Sequence, residues 1–183
     1  YGIEPYEPAI EISRLKAQSI GLLDKYIKKC TAENIDFKDE FFDFVYCYTV
    51  IEHVEDVTQS IKEMLRVTKS GGYLFIQAPD YRQMYEGHYK LPLPMFLPIW
   101  INKIILWILG RPAGFLDSIN KVNSKNIKNI LNKQQVLSMQ IHESREKRYS
   151  DRFIIEIIFF IQDVIYKLFS APFNQLWLIK KDN

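Results

Sequence analysis

The sequence predicts an α/β fold built on a doubly wound, mostly parallel sheet, and three observations carry that expectation. Through the first half of the chain, short apolar runs alternate with helical patterns, which is the signature of βαβ units. Phe42 to Tyr48 is apolar enough to be a central strand buried on both faces. Gly71-Gly72 then turns the chain from a helical pattern into a further apolar run, Tyr73 to Ala78, closed by Pro79-Asp80.

Taken in order, Tyr1 to Glu4 reads as a strand. Pro8 to Ser19 reads as a helix, with a proline near its first turn, Ile12 and Leu15 on its buried face and Gly21 just past its end. Ile27 to Cys30 is the next strand. Asp56 is placed to cap a helix from Val57 to Val67, in which Val57, Ile61, Met64 and Leu65 make one apolar stripe and Gln59, Lys62 and Glu63 face solvent. Leu91 to Gly110 is apolar and aromatic but broken by Pro92, Pro94 and Pro98. A helix capped by Ser124 and running to Asn132 follows, then a strand within Val136 to His142, a helix from Phe153 to Phe169 and a last strand from Gln175 to Lys180.

At 183 residues the chain fits one domain. Lys and Arg total 24 against 22 for Asp and Glu, a formal charge of +2, and the basic residues are dispersed, so nothing draws the protein to nucleic acid. Cys30 and Cys47 show no metal-binding spacing and read as buried free thiols of a reducing cytosol. No signal peptide is visible at the N-terminus. Neither long apolar segment reads as a membrane span. Phe153 to Phe169 contains Glu156, Gln162, Asp163 and Lys167, and Leu91 to Gly110 carries three prolines and Lys103.

The run Asp39-Glu40-Phe41-Phe42-Asp43 through Glu52-His53-Val54, followed by Arg66-Val67 and Gly71-Gly72-Tyr73, has the order strand, site loop, helix, Gly-Gly turn, strand. It resembles the second half of a class I (Rossmann-like) S-adenosylmethionine-dependent methyltransferase, and Tyr1-Gly2-Ile3-Glu4-Pro5 resembles that family's second strand. The resemblance implies that the family's first strand and its Gly-rich cofactor loop precede this chain, which is then an N-terminally truncated fragment that binds cofactor weakly alone. It also implies one methyltransferase-like domain over 1–183: a partial cofactor-binding half at 1–80, a helical apolar lid insertion at 81–123, and C-terminal helices and strands at 124–183.

The same resemblance assigns site residues. Glu4 would accept hydrogen bonds from both ribose hydroxyls, since a carboxylate offers two charged acceptor oxygens to two neighbouring donors. Thr31, Ala32 and Glu33 match the loop that meets adenine, with Thr31 where the family commonly has Asp. Tyr48 and Thr49 end the fourth strand of the family, where open α/β sheets place ligands, and would wall the methionine arm. Asp43 is expected to bond backbone at the strand entry.

Two histidines are candidates for catalysis. His53 is either a general base, neutral enough near pH 7 to take a proton, or a tie between the loop and nearby backbone. His88, in Glu86-Gly87-His88-Tyr89, either meets the acceptor or makes a structural hydrogen bond, and the same choice holds for Tyr89. His142 reads as a surface or strand residue. Some O-methyltransferases of the superfamily bind a divalent metal through Glu-x-x-Glu-His. Thr49 here replaces the first carboxylate and leaves too few hard oxygen ligands, so no metal is expected.

The implied activity is methyl transfer from S-adenosylmethionine to a small-molecule acceptor or one linked to lipid or sugar, in a cytoplasmic protein. Phe96, Trp100 and Trp107 would make a greasy lid over the acceptor and would also suit peripheral contact with a membrane. The rival reading is a non-catalytic module of the same fold that docks to a membrane surface or a partner protein.

Overall fold

The computed structural model describes residues 1–22, 26–82, 84, 86–91, 93–134, 136–141, 164 and 174–182. The elements run β1 (Gly2–Ile3), α1 (Glu7–Ser19), β2 (Ile27–Lys28), β3 (Phe42–Tyr48), α2 (Val57–Val67), β4 (Thr68–Pro79), α3 (Ile99–Ile108), a 3-10 turn at Gly114–Ser118, α4 (Ser124–Leu131), β5 (Val136–Ile141) and β6 (Asn174–Lys181). The expected helix from Phe153 to Phe169 lies outside the described residues except for Val164, and His142 lies outside them as well.

The strands form two groups. β1 and β2 pair in parallel, and β3, β4, β6 and β5 form a four-stranded sheet in that order. β3 runs parallel to β4, whereas β6 is antiparallel to both of its neighbours. The Tyr1 ring links the two groups. It lies 5.0 to 5.8 Å from the rings of Tyr26, Phe37, Phe41 and Phe42, mostly edge to face, and each such pair contributes about 0.5–1.5 kcal/mol.

α2 forms as its sequence dictates. Asp56 accepts a hydrogen bond from Gln59 N at 2.9 Å as N-cap, and Ile61, Met64 and Leu65 are buried against the sheet. Each of these side chains contributes about 1.5–3 kcal/mol by leaving water. Lys62 is exposed as expected. Gln59 and Glu63 are half-buried instead, because both bond to the loop after β2.

Several expectations need correcting. The buried line of α1 runs through Ile10 and Ala17, while Ile12 and Leu15 are exposed. Seven residues make nearly two full turns, so Ile10 and Ala17 share a face, and Ile12 and Leu15 lie roughly opposite it. β3 is the edge strand of its sheet, not a central one buried on both faces. Val45 and Cys47 join the core, but Phe44, Tyr46 and Tyr48 on the other face are exposed. Those rings cover one another instead, with Tyr46 stacked 5.8 Å from Tyr48 and 5.4 Å from Phe75.

The main partner of Asp43 at the strand entry is Lys69, whose Nζ lies 2.7 Å from its carboxylate, with its own amide a lesser one. The cap of α4 is Asn123, which accepts from Lys125 N and Asn126 N, and Ser124 is the first helical residue. Gly71-Gly72 sits inside β4 rather than before it. The register jumps there, from Phe42 opposite Thr68 to Phe44 opposite Tyr73. Gly71 takes φ +76°, and a Cβ on Gly72 would lie 2.9 Å from the carbonyl oxygens of Asp43 and Lys69. Only glycine allows that approach.

β4 is the spine of the sheet, with Leu74, Ile76 and Ala78 wholly buried. β6 seals its other edge. Gln175 Nε2 donates to the Pro79 carbonyl at 3.2 Å, and Trp177 Nε1 donates to Gln175 Oε1 at 3.1 Å. Leu93, Met95, Leu106, Leu116 and Val122 from the 81–123 segment belong to the same core as the sheet.

Candidate functional site

The parallel strands deliver the expected residues to their carboxyl ends, the side of an open α/β sheet that binds ligands. Glu4 follows β1. Its Oε1 accepts Tyr6 N at 3.0 Å, while Oε2 has no partner among the described residues. Thr31, Ala32 and Glu33 follow β2, beside a shallow cavity of about 630 Å³ lined by Pro5, Lys29, Cys30, Thr31, Asn34 and Phe37.

The loop after β2 is fastened to α2 from both ends of that helix. Glu33 Oε1 accepts Glu55 N at 2.7 Å and Asp56 N at 3.3 Å, so its carboxylate serves the start of α2, and the Thr31 side chain bonds to the same carboxylate. Burial opposes the charge on Glu33, but the amide donors and the Thr31 side chain together outweigh it and hold its carboxyl below the usual range. At the far end, Arg66 donates to the Ile35 and Phe37 carbonyls, and Glu63 Oε2 accepts Ile35 N at 2.9 Å. The sequence reading named Arg66 only as part of a motif and did not foresee this tie.

Tyr48 and Thr49 stand at the end of β3, both exposed. Thr49 adopts φ +52°, an uncommon conformation for a β-branched residue, while its N–H donates to the Gln77 carbonyl at 3.0 Å. The chain reverses there and buries Glu52.

Glu52, His53 and His88 come together although His88 lies beyond β4. A ligand-capable atom from each lies within 4.8 Å of the other two. Glu52 is fully buried, and among the described residues neither of its carboxylate oxygens has a hydrogen-bond partner. Burial pushes its carboxyl up, and the nearby Glu86 charge adds to this, against its own amide and His88. His53 is pushed down, first by burial and then by His88, which favours the neutral imidazole near pH 7. His88 Nδ1 lies 2.7 Å from Glu86 Oε1, and Glu86 Oε2 accepts Tyr89 N at 2.7 Å. Tyr89 donates its hydroxyl to the Pro112 carbonyl.

Residues outside any recognised motif shape this corner. The Phe115 ring lies 5.6 Å from His53 and 4.6 Å from His88. Asn120 N donates to the Glu52 carbonyl at 2.8 Å and Asn120 Nδ2 to that of Val54, which fastens the 81–123 segment to the site loop. The Tyr81 hydroxyl is buried nearby with no partner among the described residues, and burial followed by the Glu52 charge pushes its phenol up. None of these three had a sequence signal, unlike Glu86, which stands two residues before His88.

Away from the core, α3 presents an uncovered apolar face. Trp100, Ile104, Trp107 and Ile108 are exposed, as are Phe96 and Leu109 beside it. Among the described residues no helix is long and apolar enough to cross a membrane.

Comparison with known proteins agrees with this architecture. Residues 1–76 match the family model described as a methyltransferase domain. An uncharacterised protein of Mycobacterium tuberculosis is 24% identical over 123 residues, which cover 64% of this chain and 42% of that protein. The ubiquinone biosynthesis O-methyltransferase of Shewanella sp. (strain ANA-3) is 29% identical over 75 residues, 41% of this chain and 32% of that enzyme. The demethylmenaquinone methyltransferase of Bacillus cytotoxicus is 27% identical over 122 residues, 62% and 52% of the two chains. The chain therefore spans only about a third to a half of these curated relatives.

Among solved structures, the YcgJ protein of Bacillus subtilis superposes with a TM-score of 0.61 at 16% identity, covering 100% of this chain and 82% of that one. A SAM-dependent methyltransferase of Thermotoga maritima gives 0.56 at 18% identity, covering 99% and 72%. Residues 1–76 thus match the methyltransferase-domain family model, and the chain has the fold of class I S-adenosylmethionine-dependent methyltransferases.

Proposed function

We propose that the gene product transfers the methyl group of S-adenosylmethionine to a hydroxyl of a small acceptor, aromatic or lipid-linked. The observation that carries this reading is the placement of Glu4 after β1, the Thr31–Ala32 turn after β2, and Tyr48, Thr49 and His53 after β3, each of these strands belonging to a parallel pair. The donor set fits the cofactor. Glu4 keeps one carboxylate oxygen open for ribose, and the cavity beside Thr31 is lined by the loop that would meet adenine. When bound, S-adenosylmethionine supplies a methyl group on a sulfonium, activated for direct displacement.

The chain's own residues then have three tasks. Glu4, Thr31 and the backbone of Ala32 and Glu33 bind and orient the nucleoside, while Tyr48 and Thr49 wall the methionine end. His53, biased to its neutral form, accepts the acceptor's hydroxyl proton on a free ring nitrogen as the oxygen attacks the methyl carbon. His88 Nε2 faces the acceptor while Nδ1 is held by Glu86. The segment 81–123 acts as the cover that excludes water, since methyl transfer depends mainly on alignment and a dry site.

Two relatives are named for quinone biosynthesis, and the exposed Phe96, Trp100 and Trp107 suit an acceptor carried at a lipid surface. Titration calorimetry of the gene product with S-adenosylmethionine, followed by transfer of radiolabelled methyl to a lipid extract, tests the reading. A folded protein that binds no S-adenosylmethionine refutes it. If that protein still sediments with vesicles, the non-catalytic docking module takes its place, a reading favoured by the uncovered face of α3.

A further inference from the structure

The methyl-transfer reading leaves Glu52 without a task, yet Glu52 is the most unusual polar side chain of the site. It is 0% exposed, and neither of its oxygens has a hydrogen-bond partner among the described residues. A buried polar group in that condition is costly, and native proteins resolve it with a partner, an ordered water or an ion. Protonation alone does not resolve it. The added O–H would itself need an acceptor, and the other oxygen would still lack a donor.

The surroundings favour an ion. Atoms of His53 and His88 complete a set with Glu52 in which each ligand-capable atom lies within 4.8 Å of the others. His88 is already oriented. Glu86, only 2% exposed, holds Nδ1 at 2.7 Å and is itself held by Tyr89 N, which leaves Nε2 as the ring nitrogen that can take a ligand. A carboxylate behind a histidine in this way is the recurrent outer partner of metal-binding imidazoles. His53, in contrast, makes ring contacts but no side-chain hydrogen bond among the described residues, so its ring is free to adjust. Ligands of a tetrahedral zinc ion stand about 3.3 Å apart, so the set, already within 4.8 Å, closes on an ion by small side-chain movements.

We propose that Glu52, His53 and His88 bind one divalent transition-metal ion, with Glu86 positioning His88. Two imidazoles and one carboxylate make a borderline ligand set that suits zinc, cobalt, manganese or iron better than magnesium or calcium. The expectation of no metal rested on the loss of a carboxylate at Thr49. His88 supplies the third ligand from a different part of the chain instead. Three protein ligands leave a position open, on the side of the two exposed histidines, for water or an acceptor oxygen. Use of that position by the acceptor rests on the proposed methyl transfer, with His53 then holding the ion instead of taking the proton; binding of the ion does not.

The test uses the metal-stripped 183-residue chain and zinc chloride, in competition with a chromogenic chelator. One equivalent is expected to bind. His53→Ala and His88→Ala should each weaken binding at least tenfold, and Glu86→Gln, which leaves the ligands intact, by about 10- to 100-fold. Circular dichroism checks the folding of the variants. Imidazole signals in long-range proton–nitrogen spectra of the wild type decide the matter if a variant misfolds: two of the three histidines should respond to zinc. Absence of stoichiometric binding, an unchanged affinity in the folded His53→Ala/His88→Ala double variant, or silent imidazole signals would overturn the proposal. S-adenosylmethionine binding, measured separately in zinc-free buffer, reports on the methyl-transfer reading whichever way the zinc result falls.

Discussion

Replacing Arg66 by methionine measures how firmly the loop after β2 is held against α2. The guanidinium donates from Nε to Glu63 Oε1 at 2.8 Å and from Nη1 to the Phe37 carbonyl at 2.8 Å and Asp39 Oδ1 at 2.7 Å. Its Nη2 reaches the Ile35 carbonyl at 2.7 Å and Glu63 Oε2 at 2.8 Å. Asp39 is largely exposed, so its share is at most about 1 kcal/mol. The bonds to Glu63 and the two carbonyls are part-buried, and charged hydrogen bonds of this kind contribute about 1.5–3 kcal/mol each. They share one donor group and are not additive, so a total loss of about 3 kcal/mol is expected at pH 7.

The pH dependence has a definite sign. The bond from Arg66 holds the Glu63 carboxyl below its ordinary value of 4.5, outweighing the opposing effect of burial. A depressed folded-state value gives stability that is present above 4.5 and lost as pH falls through the lower folded value. The wild type should therefore weaken with acid more than Arg66→Met does, and the gap between them should narrow. Urea unfolding followed by circular dichroism at pH 7 and pH 3 reads both effects, with equal slopes as the check that the denatured state is unchanged. A gap below about 1 kcal/mol at pH 7, or one that widens in acid, would refute the reasoning.

Other outcomes follow from single contacts. Gly72→Ala should lower stability by about 1–3 kcal/mol, because its Cβ would meet two backbone oxygens at 2.9 Å, and an unchanged melting temperature would show that β4 slides to make room. Glu4→Gln should weaken S-adenosylmethionine binding by the gene product by about 1–3 kcal/mol with little change in melting, and an unaltered affinity would remove Glu4 from the site. Burial, helped by the Glu52 charge, pushes the Cys47 thiol to about 12, so Ellman's reagent at pH 8 should react quickly with Cys30 alone, and rapid modification of both thiols in the folded chain would contradict the buried placement. Trp100 and Trp107 are 60% and 79% exposed, so changing both to serine should abolish any sedimentation with anionic vesicles; full retention would place the contact elsewhere.

How legible these features are in the sequence depends on whether their cause is local. The cap and apolar stripe of α2 are set within one helix, and Asp56, Ile61, Met64 and Leu65 can be read directly. α1 has two apolar lines, Ile10 with Ala17 and Ile12 with Leu15, and periodicity does not say which one meets the sheet. β3 shows the same limit. Its composition suits a central strand, but its position in the sheet order is a property of the whole chain. In the site, Glu52 and His53 stand out because they adjoin a recognisable strand end. Their meeting with His88 depends on Asn120 binding the carbonyls of Glu52 and Val54, and on Phe115 filling the corner. No spacing in the sequence announces contacts between segments so far apart.

The position of β6 has a consequence for how the chain is made. Asn174 pairs with Pro79 and Lys180 with Tyr73, so the spine strand β4 must keep one edge open until nearly a hundred further residues have left the ribosome. β5 pairs only with β6 and has no place in the sheet before then. Pairings of such long separation form slowly, and an apolar strand with an unpaired edge is an invitation to other nascent chains. A premature stop near residue 170 would remove one strand and orphan another, leaving Leu74, Ile76 and Ala78 beside an open edge. Such a product should reach the insoluble fraction even though every residue of the candidate site is present in it.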